Sequence, residues 1–186
     1  PIASSAASDV YKRQIVYSSV DGHTKEICQK IASQLEHQVD IVSVDDNPMV
    51  EEYDQIIIGA SIRYGKYRQS LFDFIDKNKN TIDTKKNAFF SVNVVARKKE
   101  KNKPETNPYV SKFLKNTNWI PKKIGVFAGK IDYPKYKLLD KYAIKFIMRI
   151  TKGPTDTSKT YEFTDWDMVI EFCLLYTSDA ADEAIG

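Results

Sequence analysis

The sequence predicts an α/β protein built on an open, five-stranded parallel sheet with helices on both faces. Three observations lead there. Short β-prone runs alternate with helical patterns along the chain, in the rhythm of βα units. The run Asp54-Gln55-Ile56-Ile57-Ile58-Gly59-Ala60 is apolar on consecutive positions, as a strand covered on both faces must be. The first helical segment repeats apolar residues at four-residue spacing and so buries a single stripe.

The first strand is Gln14-Ile15-Val16-Tyr17-Ser18, followed by a turn and a helix over about His23 to Glu36. In that helix Ile27, Ile31 and Leu35 share a face, with Ala32 beside them. Val39 to Val44 reads as a second strand and 54–60 as the third. Leu71, Phe72 and Ile75 mark the next helix. Ala88 to Asn93 and Ile124 to Gly129 are the fourth and fifth strands. Between them Arg97 to Pro104 is polar and hostile to a helix, and a long loop is expected there. A helix from about Pro134 to Thr151 follows. The last helix is expected to open with the capping-box-like Thr164-Asp165-Trp166-Asp167, Asp replacing the usual Glu or Gln, ahead of Met168, Val169 and Phe172.

Composition narrows the class. The chain has 186 residues and 42% hydrophobic content, which suits one ordinary domain with a core. No run approaches the ~18 apolar residues of a membrane-spanning helix. Cys28 and Cys173 are too few for a disulfide framework or a cysteine-rich metal site, and His23 and His37 too few for a histidine one. A soluble, cytoplasmic protein without a metal is expected. Ser8 to Gln14 and Leu174 to Glu183 resemble translated sequencing-adapter sequence, so the domain is expected over 14–173, with 1–13 and 174–186 as non-native flanks.

The net charge of +3 hides an asymmetry: residues 97–152 hold sixteen Lys/Arg against four Asp/Glu. A basic half on an acidic body points to an anionic partner, unless it is only a solvated lysine-rich surface. Nucleic acid is the weakest candidate, because the basic stretch carries no recognition motif.

In open parallel sheets, ligands bind beyond the carboxyl ends of the strands, where strand order switches. After strand one, Ser18-Ser19-Val20-Asp21-Gly22-His23-Thr24 runs straight into a helix. Hydroxyls at Ser19 and Thr24 bracket a glycine turn, so amides, helix dipole and hydroxyls could hold a phosphate without a lysine. Taken alone, the segment is equally an N-cap with a tight turn. After strand three comes Ser61-Ile62-Arg63-Tyr64-Gly65-Lys66-Tyr67, and strand four leads into Val92-Asn93-Val94-Val95-Ala96-Arg97. An aromatic ring, a glycine and backbone polar groups could flank a planar heterocycle, although Tyr64 and Tyr67 could also simply cover the sheet end. All three loops at one sheet end fit flavin mononucleotide (FMN): phosphate in the first, isoalloxazine between the other two.

These loops, with Ala128-Gly129, Tyr133-Pro134-Lys135-Tyr136, Thr155-Asp156-Thr157, Tyr161 and Thr164-Asp165-Trp166, resemble the flavodoxin-like, menaquinone-dependent protoporphyrinogen IX dehydrogenases of bacterial haem synthesis. The resemblance covers Ile15 to Cys173. It implies a flavodoxin-like three-layer sandwich and an FMN enzyme that oxidises protoporphyrinogen IX to protoporphyrin IX. Electrons would pass to menaquinone or ubiquinone, placing the protein peripherally on the inner membrane. The expected phosphate residues are Ser18, Ser19, Val20, Asp21, Gly22, His23 and Thr24, with His23 positioning rather than acting as a base. The expected ring residues are Ser61, Ile62, Arg63, Tyr64 and Gly65, with Val92, Asn93 and Val94. Arg97, Lys98 and Lys99 are expected to grip the substrate's carboxylates. A flavodoxin-type electron carrier and an NAD(P)H:quinone reductase are the competing readings.

The helix near 135–152 is expected to dock on an anionic membrane surface. Lys137, Lys141, Lys145 and Arg149 form one stripe, while Leu139, Tyr142, Phe146 and Ile150 form another that is expected to pack on the sheet. Ile144 and Met148 then lie beside the cations, away from the core.

Overall fold

Strands that are apolar on consecutive positions must be covered on both faces, and the chain supplies helices to both. The computed structural model describes residues 11–36 and 38–182. Residues 1–10 and 183–186 of the proposed flanks, and His37, lie outside the described residues. The central sheet contains β1 (Arg13–Ser18), β2 (Val39–Ser43), β3 (Gln55–Ser61), β4 (Lys86–Val92) and β5 (Ile124–Phe127). Its order is β2-β1-β3-β4-β5 and every neighbouring pair is parallel. Register places Ile15 between Ile41 and Ile57, and Ile57 opposite Ala88.

The two-residue pleat divides the strand residues between two cores. Ile15, Ile57, Phe90 and Phe127 meet α1 (His23–Gln34) and α5 (Trp166–Asp182) through Ile27, Ile31, Val169 and Phe172. Ile56, Ile58 and Phe89 meet α2 (Gln69–Asp83) and α3 (Pro108–Asn116) through Leu71, Ile75 and Phe113. The ring of Phe89 stacks on that of Phe113 with centroids 4.0 Å apart. Gly59 is required by this packing: a Cβ there would stand 2.1 Å from the Phe90 ring. Gly59→Ala is therefore expected to cost about 1–3 kcal/mol, read as a lower denaturant midpoint at unchanged slope.

Four sequence expectations change. The stretch after β4 is no open loop, since 3₁₀ turns occupy Val94–Arg97 and Lys99–Lys101 and α3 follows. Only Val110 and Phe113 of α3 are buried, too few for a clear stripe, yet Asn107 caps it through Tyr109 N and Val110 N. The fifth strand stops at Phe127. Lys130 to Asp132 forms a separate β6, antiparallel to β7 (Thr160–Glu162), with α4 (Leu138–Ile150) inserted between them. The cap of α5 is Asp165, which accepts from Asp167 N and Met168 N, whereas Thr164 turns toward Ala128. The ends differ as well: β1 begins one residue earlier, at Arg13, whose Nε donates to Gln55 Oε1, and α5 runs on to Asp182.

Candidate functional site

The strand order reverses at β1 and β3, so the β1–α1 and β3–α2 loops, with the segment after β4, gather at one sheet edge. The first loop is a tight turn. Ser19 Oγ accepts from Gly22 N at 3.0 Å, and Gly22 takes the left-handed φ of 85° as it enters α1. A Cβ at Gly22 would meet nothing, so backbone conformation rather than space selects glycine. Among the described residues no side chain caps α1, which leaves first-turn amides directed at the loop. Thr24 and Ser18 are fully buried, yet among the described residues neither hydroxyl has a partner. An unpaired buried hydroxyl costs about 1–3 kcal/mol, which a ligand accepting from or donating to Thr24 would recover. Amides, helix dipole and an orphan hydroxyl are the donor set of a phosphate site.

Two adjoining cavities follow the sheet edge. The smaller, about 50 Å³, is walled by Ser19, Val20, Asp21, His23 and Thr24 on one side, and by Ser61, Val92 and Gly129 on the other. The larger, about 130 Å³, adds Tyr64, Gly65, Val95, Tyr109 and Tyr136, and the inner side of α4. Asp21, Ile62, Arg63, Asn93, Val94 and Lys130 line both, so the turn between β1 and α1 opens directly into the larger space.

In the second loop Arg63 and Lys66 bond each other's backbone, with Tyr64 (φ 49°) and Gly65 (φ 72°) both left-handed between them. That conformation is strained for tyrosine. Its hydroxyl donates to Asp140 of α4, which holds it in place. Arg63 joins the same latch: it pairs with Asp21, bonds Asp140 at 2.9 Å, and lies over the Tyr64 and Tyr136 rings. Burial is the largest single influence on Arg63 and works against its charge, but the hydrogen bond and charge of Asp21, together with Tyr64, outweigh it and raise the guanidinium's pKa. The Tyr64 hydrogen bond, with the Arg63 charge, holds the Asp140 carboxyl below the usual carboxylate range.

A carboxyl depressed in the folded state stabilises the fold above its ordinary pKa near 4, and that contribution is lost as pH falls through the depressed value. Acidification into that window is expected to open the latch and speed amide hydrogen exchange in α4. Asp140→Asn should lower α4 protection already at neutral pH and remove the acid dependence; equal exchange profiles for variant and wild type would refute the latch.

The third loop is fastened from within. Asn93 Oδ1 accepts from Ala96 N and from Asn107 Nδ2, both at 3.1 Å, and Asn93 Nδ2 donates to Ser91 Oγ. Asn93 thus shapes the loop with its side chain spent. Tyr67 donates to the same Ser91 Oγ and packs among Phe72, Phe89 and Phe113, and burial pushes its phenol pKa upward. Of the two loop tyrosines, only Tyr64 faces the cavity.

Arg97 is tied into the fold. Its guanidinium donates to Val94 O, Thr151 O and Thr151 Oγ1, tying the loop to the end of α4. Lys98 and Lys99 are exposed, and none of the three lines either cavity described above. Two cations line both: Arg63, which is paired with Asp21 and Asp140, and Lys130, which sequence reasoning missed because 124–129 reads as one strand.

The apolar faces of α4 are exchanged relative to expectation. Leu139, Tyr142, Phe146 and Ile150 are 86%, 63%, 65% and 65% exposed. Met148 is buried and Ile144 half-buried, packed with Ile131 and Tyr133 of the β6 segment. The helix rests on the inserted hairpin and roofs the larger cavity instead of lying on the sheet.

The Flavodoxin domain family model matches residues 14–158. Protoporphyrinogen IX dehydrogenase (quinone) from Escherichia coli K12 is 43% identical over 166 residues, covering 87% of this chain and 92% of that protein. The protein of the same name from Leishmania major is 40% identical, over 89% of this chain and 74% of its own. Among solved structures, oxidised flavodoxin 1 from Bacillus cereus shares the fold at 19% identity, with a TM-score of 0.52, covering 90% of this chain and 97% of that one. Fold, loop geometry and these identities agree: the chain belongs to the flavodoxin domain family and, within it, to the family of the protoporphyrinogen IX dehydrogenases (quinone).

Proposed function

We propose that this protein is an FMN-dependent enzyme that oxidises protoporphyrinogen IX to protoporphyrin IX and passes the electrons to a membrane quinone, menaquinone or ubiquinone, late in haem biosynthesis. One observation carries the reading: the turn with the orphan Thr24 hydroxyl opens directly into a larger cavity edged by Tyr64 and roofed by α4. Bound there, the flavin supplies the redox chemistry. The chain's residues supply position. Ser19 and Gly22 fix the phosphate turn, and Thr24 with the first-turn amides of α1 grips the phosphate. Ser61 to Gly65 and Val92 to Val94 border the ring, the latter held by the Asn93–Asn107 pair. Lys130, at the junction of the cavities, is the cation best placed for a substrate carboxylate.

Adding protoporphyrinogen anaerobically to the purified yellow protein should bleach the flavin, and quinone should restore its colour. Bleaching by reduced nicotinamide with none by porphyrinogen would make it an NAD(P)H:quinone reductase; bleaching by neither would leave a one-protein electron carrier.

The work takes place on the cytoplasmic face of the inner membrane, with α4 as the docking element. No helix among the described residues is long and apolar enough to cross a membrane. The α4 face does not need to cross: Leu138, Leu139, Tyr142, Phe146 and Ile150 stand exposed beside Lys137, Lys141, Lys145 and Arg149. Apolar side chains rimmed by cations suit the boundary between anionic headgroups and acyl chains.

A further inference from the structure

His23 opens α1, is 7% exposed, and has both ring nitrogens engaged. Nδ1 lies 2.8 Å from Glu26 Oε2, and Nε2 lies 2.6 Å from Thr164 Oγ1, in the loop before α5. Thr164 Oγ1 also lies 2.9 Å from Ala128 O. A carbonyl only accepts, so the threonine's one hydrogen is spent there and the hydroxyl can only accept from Nε2. The Glu26 carboxylate likewise only accepts, so Nδ1 must donate to it. All three bonds coexist only when both ring nitrogens carry hydrogen. A neutral ring, with a single hydrogen, gives up either the Glu26 contact or the Thr164–Ala128 bond.

The ring therefore clamps three segments around the smaller cavity: the first turn of α1, the Ala128–Lys130 turn, and Thr164. Glu26 is on the ring's own helix, and Lys130 of β6 stands 3.7 Å from the same carboxylate. Trp166 of α5 presents a ring at 6.1 Å, and Asp21 is directed away, to Arg63. Burial works against the Glu26 charge, yet the His23 hydrogen bond and the neighbouring cations bring its carboxyl below the usual value, which keeps it an acceptor.

We propose that His23 is a positioning residue whose second proton is part of the phosphate site: as an imidazolium it closes the clamp and adds the positive charge that a loop without lysine otherwise lacks. This rests on the FMN reading above. The sign follows from the bond count. Rising pH removes a ring proton, opens one arm of the clamp and removes the charge, so FMN binding weakens. The phosphate acts in the opposite sense, gaining negative charge near pH ~6. Wild type must therefore be compared with His23→Gln, which can still donate to Thr164 but does not titrate.

FMN affinity of the cofactor-free full chain, read by flavin fluorescence, tests this between about pH 5 and 8, where histidines change charge. The ratio of the wild-type to the His23→Gln Kd is expected to rise about fivefold across that range. A second readout needs no flavin. Ring-nitrogen NMR of the cofactor-free protein, with His37→Gln used to assign the two histidines, should show the His23 titration midpoint falling in both Glu26→Gln and Thr164→Val. A ratio that stays constant with pH, or a midpoint unmoved by both substitutions, overturns the proposal. Absence of FMN binding at every pH would instead overturn the cofactor assignment, and the NMR midpoints would still decide the role of the ring.

Discussion

Thr24→Val is expected to weaken FMN binding about 10- to 100-fold while leaving the cofactor-free protein at least as stable as before. The two effects have opposite signs because the hydroxyl is buried and has no partner among the described residues. Without ligand, an apolar group of the same shape removes an unsatisfied polar atom, which is neutral or favourable. With ligand, the variant loses a hydrogen bond to a charged phosphate, worth about 1.5–3 kcal/mol. Thr24→Glu should expel the cofactor altogether by repelling the phosphate, but a carboxylate at a fully buried position also threatens the fold, so valine is the cleaner variant. Flavin titration and chemical denaturation of the same preparations check both halves. Equal FMN affinity in valine variant and wild type would remove Thr24 from the site.

Replacing Leu139, Tyr142 and Phe146 together by serine should abolish vesicle binding while the flavin spectrum and unfolding midpoint stay unchanged. Each side chain is more than half exposed, so little of the fold depends on it. Burying such a side chain in the acyl boundary is worth about 1.5 kcal/mol at the low end, and three together give roughly a 1,000-fold change in partitioning. Changing Lys141, Lys145 and Arg149 to Gln should have a smaller effect, at about 1 kcal/mol for each cation near an anionic surface. Flotation of the wild type should require anionic lipid and weaken with salt. Equal flotation on neutral vesicles, or none on either, would overturn the docking assignment. A dimer on gel filtration that the serine variant loses would instead assign this face to a second copy of the chain.

Much of this was legible in the residues. The parallel sheet followed from local patterns: consecutive apolar residues in 56–58 can be satisfied only by cover on both faces, and Ile27, Ile31 and Leu35 mark a helix with one buried side. The turn between β1 and α1 was legible because it is local, with hydroxyls, glycine and helix start lying within a few residues of one another. What lies in long-range pairing was not legible. Arg97 reads as a free guanidinium until the fold brings Thr151 to it, and the Asn93 side chain as free to bond a ligand until Ala96 and Asn107 take it. His23 acquires its second partner only because the loop before α5 returns to α1. The faces of α4 make the same point most plainly. Helical period fixes which side chains share a stripe, but whether a stripe is covered depends on what lies beneath it. There, the β6–β7 hairpin took the place of the sheet, burying Met148 and leaving Leu139, Tyr142 and Phe146 to solvent.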